Sequence, residues 1–366
     1  MGMNASNPGR MSWTQRWSIP TGSSAGKLGK PTAVCDDGSI FAREGEMTEM
    51  KCAVLDDYQQ IALSMADWSA VAERIELRVF DNHFDDEEKL AAAIEDCEIV
   101  VIMRERTPFR ESLFRRLPSL KLLVTTGMRN ASVDLAAAAE RGVVVCGTRG
   151  GGEGTTELTW ALILGLARRL VQENEALRSG GSWQSTIGVD LIGKRLGLLG
   201  LGHIGSNVAR IGQAFGMEVA AWSQNLTADK AAAAGVKLAS SKEELLESSD
   251  FVSIHLVLGD RTRGLIGARE LGLMRPSAYL INTSRAPIVD RDALIEALRS
   301  GRIAGAGLDV FEQEPLPADD PLRTLPNVLA TPHIGYVTQA SYRAFFRGIV
   351  EAIDAFLKGS PVNVLG

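Results

Sequence analysis

The sequence predicts an α/β fold made of two doubly wound parallel sheets, and three observations carry that prediction. From Lys51 onward, short β-branched runs alternate with stretches of helical period. The alternation comes as two series, separated by the glycine-rich join Gly147-Thr-Arg-Gly-Gly-Gly-Glu-Gly154. The second series opens with a strand, a glycine turn and a helix in immediate succession. Alternation of this kind implies parallel sheets covered by helices.

Residues 1–48 stand apart. They are rich in Ser, Gly, Pro and Thr, include Pro20-Thr-Gly-Ser-Ser-Ala-Gly26, and show no sustained period. Such a segment cannot bury enough apolar surface to offset its chain entropy, so a disordered arm is expected. Its basic, serine-containing character also suits a transit peptide. A true beginning near Met47 or Met50 is the plainer expectation.

The first series reads as five strands: Cys52-Ala-Val-Leu-Asp56, Glu76-Leu-Arg-Val-Phe80, Glu98-Ile-Val-Val-Ile-Met103, Lys121-Leu-Leu-Val-Thr125 and Val143-Val-Val-Cys146, with a helix over 86–96. A strongly apolar helix follows over about 155–172. The second series contains Arg195-Leu-Gly-Leu-Leu-Gly200, Glu218-Val-Ala-Ala-Trp222, Phe251-Val-Ser-Ile-His255, Ala278-Tyr-Leu-Ile-Asn282, Ile303-Ala-Gly-Ala-Gly-Leu-Asp309 and Val328-Leu-Ala-Thr331. Ser241-Lys-Glu-Glu244 reads as a capping box between two of these strands. A last helix over about 338–358 is expected to pack back on the first domain.

Composition narrows the function classes. A chain of 366 residues can hold two cored domains. Its formal net charge of -6 argues against a nucleic-acid or membrane surface, both of which require a basic patch. The four cysteines show no C-x-x-C spacing, and Cys52, Cys97 and Cys146 lie in or beside apolar runs, as reduced core residues of a cytoplasmic protein would. The four histidines are scattered, so no metal site is expected. The densest apolar run, Leu158 to Ala167, is too short to span a bilayer.

The stretch Gly200-Leu-Gly202-His203-Ile204-Gly205 matches G-x-G-x-x-G between a predicted strand and a predicted helix. The glycines permit a tight turn, close approach of backbone to a pyrophosphate, and tight helix–sheet packing. A strict NAD site would place an acid at the end of the next strand. Here that position reads Trp222-Ser223-Gln224-Asn225, with no acid to repel a 2′-phosphate and no arginine to bind one. Dual use of NAD and NADP is therefore expected.

Three further stretches end successive strands of the second series: Asn282-Thr283-Ser-Arg285, Asp309-Val-Phe-Glu-Gln-Glu314-Pro315 and Thr331-Pro-His333-Ile-Gly335. Together with the glycine turn they resemble the D-isomer-specific 2-hydroxyacid dehydrogenase family. The resemblance covers roughly 50–366. It implies two hinged domains, a flavodoxin-like substrate domain (49–148 plus 336–366) and a Rossmann dinucleotide-binding domain (149–335), with the substrate in the cleft between them. It also implies a homodimer, formed through the apolar helix near 155–172 and its surroundings. The sequence departs from the family pattern at Val257 and Gly259, where Pro and Thr are usual, and at Leu158, which replaces a common histidine.

The residue types suit reduction of a small 2-keto acid to a 2-hydroxy acid. That chemistry needs a cation for the carboxylate, a proton donor for the developing alkoxide and a hydride from the nicotinamide. Arg285 offers a planar fork for the carboxylate. His333 can give and take the proton. Glu314 would hold the imidazole in one orientation and raise its pKa by stabilising the imidazolium. For the cofactor, the resemblance adds Ser223 and Thr283, and Asp309 at the nicotinamide carboxamide. For the substrate it adds Arg104 and the loop carrying Gly127 and Met128. Bland alternatives stand beside these. Arg285 is otherwise a solvated loop cation, His333 a structural histidine, Glu314 a surface acid rivalled by Glu312, and Asp309 a turn cap. His255, on a buried strand, reads as structural. A binding protein on the same scaffold is the second function class, and the intact Arg285–Glu314–His333 set weighs against it.

Overall fold

The computed structural model describes residues 49–150 and 153–366. The expectation of a disordered arm over 1–48 lies outside the described residues.

The first series folds as expected into a five-stranded parallel sheet. Its strands are β1 (Met50–Val54), β2 (Ile75–Val79), β3 (Ile99–Ile102), β4 (Leu122–Thr126) and β5 (Val144–Thr148), in the order β2-β1-β3-β4-β5. Three short helices separate the later strands: α1 (Glu87–Ile94), α2 (Glu111–Arg116) and α3 (Leu135–Glu140). Strand side chains alternate between two cores, as the two-residue period of a β-strand requires. Cys52, Val54, Val101 and Val124 face one, and Ala53, Val100, Ile102 and Leu123 face the other, against all three helices. Cys52, Cys97 and Cys146 are buried free thiols.

Between the series, the single helix expected over 155–172 is two helices, α4 (Gly154–Ala167) and α5 (Leu170–Arg178). The apolar face that buries α4 against the second sheet ends at Ala167, and Arg169 takes a left-handed conformation (φ 50°). No residue of α5 is buried. Past Ala167 the apolar residues Leu170 and Val171 stay exposed, so no packed face holds the first helix axis beyond Arg168.

The second sheet has seven parallel strands. Glycine-turn and helix follow its first strand: β6 (Arg195–Leu199), then α6 (His203–Ala214). Next come β7 (Glu218–Trp222), α7 (Ala228–Ala233), β8 (Lys237–Leu238), α8 (Lys242–Ser248) and β9 (Phe251–Ile254). The series closes with α9 (Ala268–Leu273), β10 (Tyr279–Asn282), α10 (Arg291–Arg299), β11 (Gly305–Leu308) and β12 (Val328–Ala330). The two-residue edge strand β8 was not anticipated, because it is too short to carry a period. In the α8 cap, Ser241 Oγ accepts the Glu244 N–H at 3.0 Å, while the Glu244 carboxylate turns to Arg195 at 2.7 Å.

The last helix, α11 (Gln339–Leu357), leaves the second sheet and buries Tyr342, Phe345, Phe346, Ile349 and Ile353 against the first. The tail after it pairs antiparallel with β5, through Gly147 N–H to Asn363 O and Leu365 N–H to Val145 O. Among the described residues, no helix is long and apolar enough to cross a membrane, and no group of three or more His, Cys, Asp or Glu gathers as a metal site.

The strand orders fix where a ligand can sit. The second sheet runs β12-β11-β10-β9-β6-β7-β8, a 3-2-1-4-5-6 pattern extended by one strand, and the first runs 2-1-3-4-5. In such sheets ligands bind outside the carboxyl ends of the strands, where the winding reverses. The reversals fall at β1/β3 and at β6/β9, and both lie at one cleft.

Candidate active site

The cleft is lined almost wholly by loops that follow strands. From the first sheet come His83, Asp85, 104–106, Pro108 and Arg129; from the second come Ile204, 255–258, 283–287, 309–317, His333, Gly335 and Tyr336. Every sequence-predicted catalytic residue is among them.

The glycine turn after β6 has the geometry of a dinucleotide cradle. Gly200 adopts φ 102°, and a Cβ there would strike the His255 carbonyl. A Cβ on Gly205 would strike the Gly200 carbonyl, so α6 lies directly against the turn. Gly202, the N-cap of α6, faces open space. The backbone is thus bare where a pyrophosphate must approach, which fits the cofactor this motif implies. Ile204 lines the cleft. His203 does not turn inward; its ring is 77% exposed and pairs with Glu153 at 3.0 Å. Ser223 follows β7, partly exposed, and Gln224 and Asn225 are exposed beside it. Thr283 is buried, its hydroxyl 2.9 Å from that of Thr159. Burial pushes the His255 imidazole down to about 4, so this residue stays neutral, as a structural histidine does.

His333 and Glu314 meet. The imidazole Nδ1 lies 2.6 Å from Glu314 Oε2, and the other carboxylate oxygen accepts the Phe311 N–H at 2.8 Å. A carboxylate can only accept, so Nδ1 carries the hydrogen and Nε2 is left for proton transfer. The rival acid Glu312 lines the cleft, but it is Glu314 that reaches the ring. Tyr336 packs its ring edge-on to the imidazole, centroids 5.4 Å apart.

The turn that carries His333 is held by Asp309. This carboxylate, 1% exposed, accepts from the Thr331 hydroxyl (2.6 Å), the Ile334 N–H (2.8 Å) and the Gly335 N–H (2.8 Å). His333 itself sits at φ 51°, a left-handed conformation that costs a non-glycine residue about 1 kcal/mol. Burial pushes the Asp309 carboxyl above its usual value, opposed by those three donors. Asp309, which the resemblance puts at the nicotinamide carboxamide, borders the cleft; its Oδ1 accepts two of these bonds and its Oδ2 only that from Gly335.

Arg285, after β10, points across the cleft. Its Nη1 donates to the Ser284 carbonyl and its Nη2 to Glu105 Oε1, each at 2.7 Å. Glu105 lies on the loop after β3, 180 residues away. Nothing local in the sequence marks that pairing. Arg104, also left-handed (φ 56°), donates its N–H to Thr126 Oγ1 at 2.8 Å and lays its guanidinium over Gly127. Gly127 adopts φ 95°, which glycine alone takes without strain. Met128 lines a separate small depression with Val133 and Leu135, whereas its neighbour Arg129 lines the cleft.

A further histidine–acid pair was missed. His83 Nδ1 lies 3.0 Å from Asp56 Oδ1, and Asp56 also accepts from the Thr107 hydroxyl at 2.7 Å. The hydrogen bond to Asp56 raises the His83 imidazole above its ordinary range. Asp56 ends the first predicted strand at φ 59°, an unusual conformation that no sequence pattern announces.

Comparison with known proteins shows the family. The family model described as D-isomer specific 2-hydroxyacid dehydrogenase, NAD binding domain, matches residues 160–335. The chain is 41% identical to a glyoxylate reductase of Aeropyrum pernix over 263 residues, covering 69% of this chain and 78% of that one. It is 30% identical to a hydroxypyruvate reductase of Blautia hydrogenotrophica, covering 86% of this chain and 99% of the relative. Among solved structures, a phosphoglycerate oxidoreductase of Vibrio cholerae O395 superposes with a TM-score of 0.81 at 36% identity, covering 85% of this chain and all of the other.

The anchoring role of Asp309 is open to test. Asp309→Ala strands three donors and should lower unfolding free energy by about 2–4 kcal/mol in urea titration. Unchanged stability would contradict an anchor.

Proposed function

Because the chain belongs to the D-isomer-specific 2-hydroxyacid dehydrogenase family, we propose that Arg285, Glu314 and His333 carry its interconversion of a small 2-keto acid and a 2-hydroxy acid. The observation that supports this most is the 2.6 Å contact of His333 with Glu314, in the same cleft as Arg285.

When bound, the nicotinamide cofactor supplies or accepts the hydride at the substrate's C2. Arg285 binds the substrate carboxylate through its free N–H groups and fixes C2 in the cleft. As the carbonyl becomes an alkoxide, His333 delivers the proton from Nε2; in oxidation it takes the proton back. Glu314 holds the ring by Nδ1 and offsets the imidazolium charge. Asp309 positions His333 rather than touching substrate. Gly200, Gly202, Gly205, Ile204, Ser223 and Thr283 form the cofactor side. Arg104 and the backbone at Gly127 form the substrate side.

The protein acts as a cytoplasmic homodimer in this reading. Trp183, Ile187 and Ile192, just after α5, are 79%, 92% and 75% exposed, an apolar surface that a second copy can cover. Sedimentation at the mass of a single chain would contradict it.

Two outcomes test the site. His333→Ala and Arg285→Ala should each lower kcat/KM by at least about 10²-fold for any 2-keto acid that is turned over. Glu314→Gln should be milder, since it keeps a hydrogen-bond acceptor for Nδ1. Wild-type rates in all three variants would remove these residues from their roles. Cofactor choice should be loose. With neither acid nor arginine at Ser223-Gln224-Asn225, kcat/KM for NADH and NADPH should differ by less than about 100-fold. Ser223→Asp should shift preference towards NADH and Gln224→Arg towards NADPH. A wild-type preference above about a thousand-fold would mean that another residue decides.

A further inference from the structure

Glu105 is a carboxylate in the place where a substrate carboxylate is to bind. Its Oε1 takes one N–H of Arg285 at 2.7 Å. Its Oε2 is buried and, among the described residues, has no hydrogen-bond partner. Arg104 Nε is the near cation, at 3.7 Å, beyond hydrogen-bond length.

Glu105 does not block Arg285. A guanidinium carries five N–H donors. One goes to Ser284 O and one to Glu105, which leaves three, enough for a bidentate contact with a second carboxylate. The substrate can therefore bind with Glu105 in place.

The charge count then limits what the substrate can be. Arg104, Glu105 and Arg285 sum to +1. A single carboxylate neutralises the group, while a second anionic centre on the same substrate would face an excess of negative charge. The other cations of the cleft do not alter this near Arg285. Arg106 is stacked between Tyr58 and Tyr336 and donates to the Asp56 carbonyl, and Arg110, Arg129 and Arg263 are exposed and screened by solvent. His333 and Glu314 form their own neutral pair once the ring is protonated.

We propose that Glu105 is a specificity-determining residue that tunes the cleft to 2-keto acids of a single negative charge. This rests on Arg285 as the carboxylate site. Like charges about 6 Å apart in a partly buried site separate affinities by on the order of 10²-fold, so the effect is large enough to measure.

The test is kcat/KM for pyruvate, hydroxypyruvate, oxaloacetate and 3-phosphohydroxypyruvate in wild type, Glu105→Gln and Glu105→Ser. Wild type should favour the two monoanions by at least about tenfold. Glu105→Gln should raise the ratio of the more highly charged acids, oxaloacetate and 3-phosphohydroxypyruvate, to the monoanions at least about tenfold. Glu105→Ser gives the same readout if the amide variant folds poorly. A residue that merely braces Arg285 would lower all four acids together, and an unchanged ratio overturns the proposal. So does a wild-type preference for the multiply charged acids. Turnover of monoanions with an unchanged ratio leaves the dehydrogenase reading standing, whereas no turnover of any keto acid by wild type overturns both.

Discussion

Asp309 stands at the carboxyl end of β11 with almost no solvent contact, and three donors of one turn converge on it. A buried carboxylate is costly unless its lone pairs are used, and here both oxygens are. The same bonds stabilise a turn whose central residue, His333, has a conformation it would not choose alone. A rigid strand end, a buried charge and a strained turn thus define one position for the imidazole. Glu314, itself fixed by the Phe311 N–H, then meets Nδ1 without a search.

The remaining chemistry depends on two sheets presenting their carboxyl ends to one cleft. The second sheet supplies the glycine turn after β6, Arg285 after β10, Glu314 after β11 and His333 after β12. The first supplies Glu105 and Arg104 after β3. Arg285 and Glu105 form an ion pair between loops of different sheets, so one contact both ties the cleft walls and sets the charge offered to substrate. A partly buried pair of this kind adds little to stability by itself. Its consequence lies in which anions are accepted.

Much of this was legible in the sequence, for identifiable reasons. Parallel strands buried on both faces read as near-continuous apolar runs, so β3, Ile-Val-Val-Ile, stands out most. The glycine turn is legible because backbone contact leaves no room for a side chain at Gly200 or Gly205. That Arg285, Glu314 and His333 share one cleft was legible because each follows a strand of one series. What stayed hidden depends on distance in sequence. The Glu105–Arg285 pair spans 180 residues, and the Asp56–His83 pair joins two loops. Asp309 was visible as a residue, but its three partners could not be read from a strand pattern. The helix break at Arg169 was missed because apolar periodicity runs smoothly through Leu170 and Val171, which are exposed after the turn.

The central claim is that this cleft delivers a hydride to one face of a 2-keto carbonyl while His333 protonates the oxygen. The most direct measurement is the chirality of the product. Hydroxypyruvate or another prochiral keto acid is incubated with the purified chain and NADH or NADPH, and the hydroxy acid is resolved on a chiral phase. Accumulation of the D-enantiomer alone is the expected result. A racemic product, the L-enantiomer, or no product from any keto acid with either cofactor would contradict it.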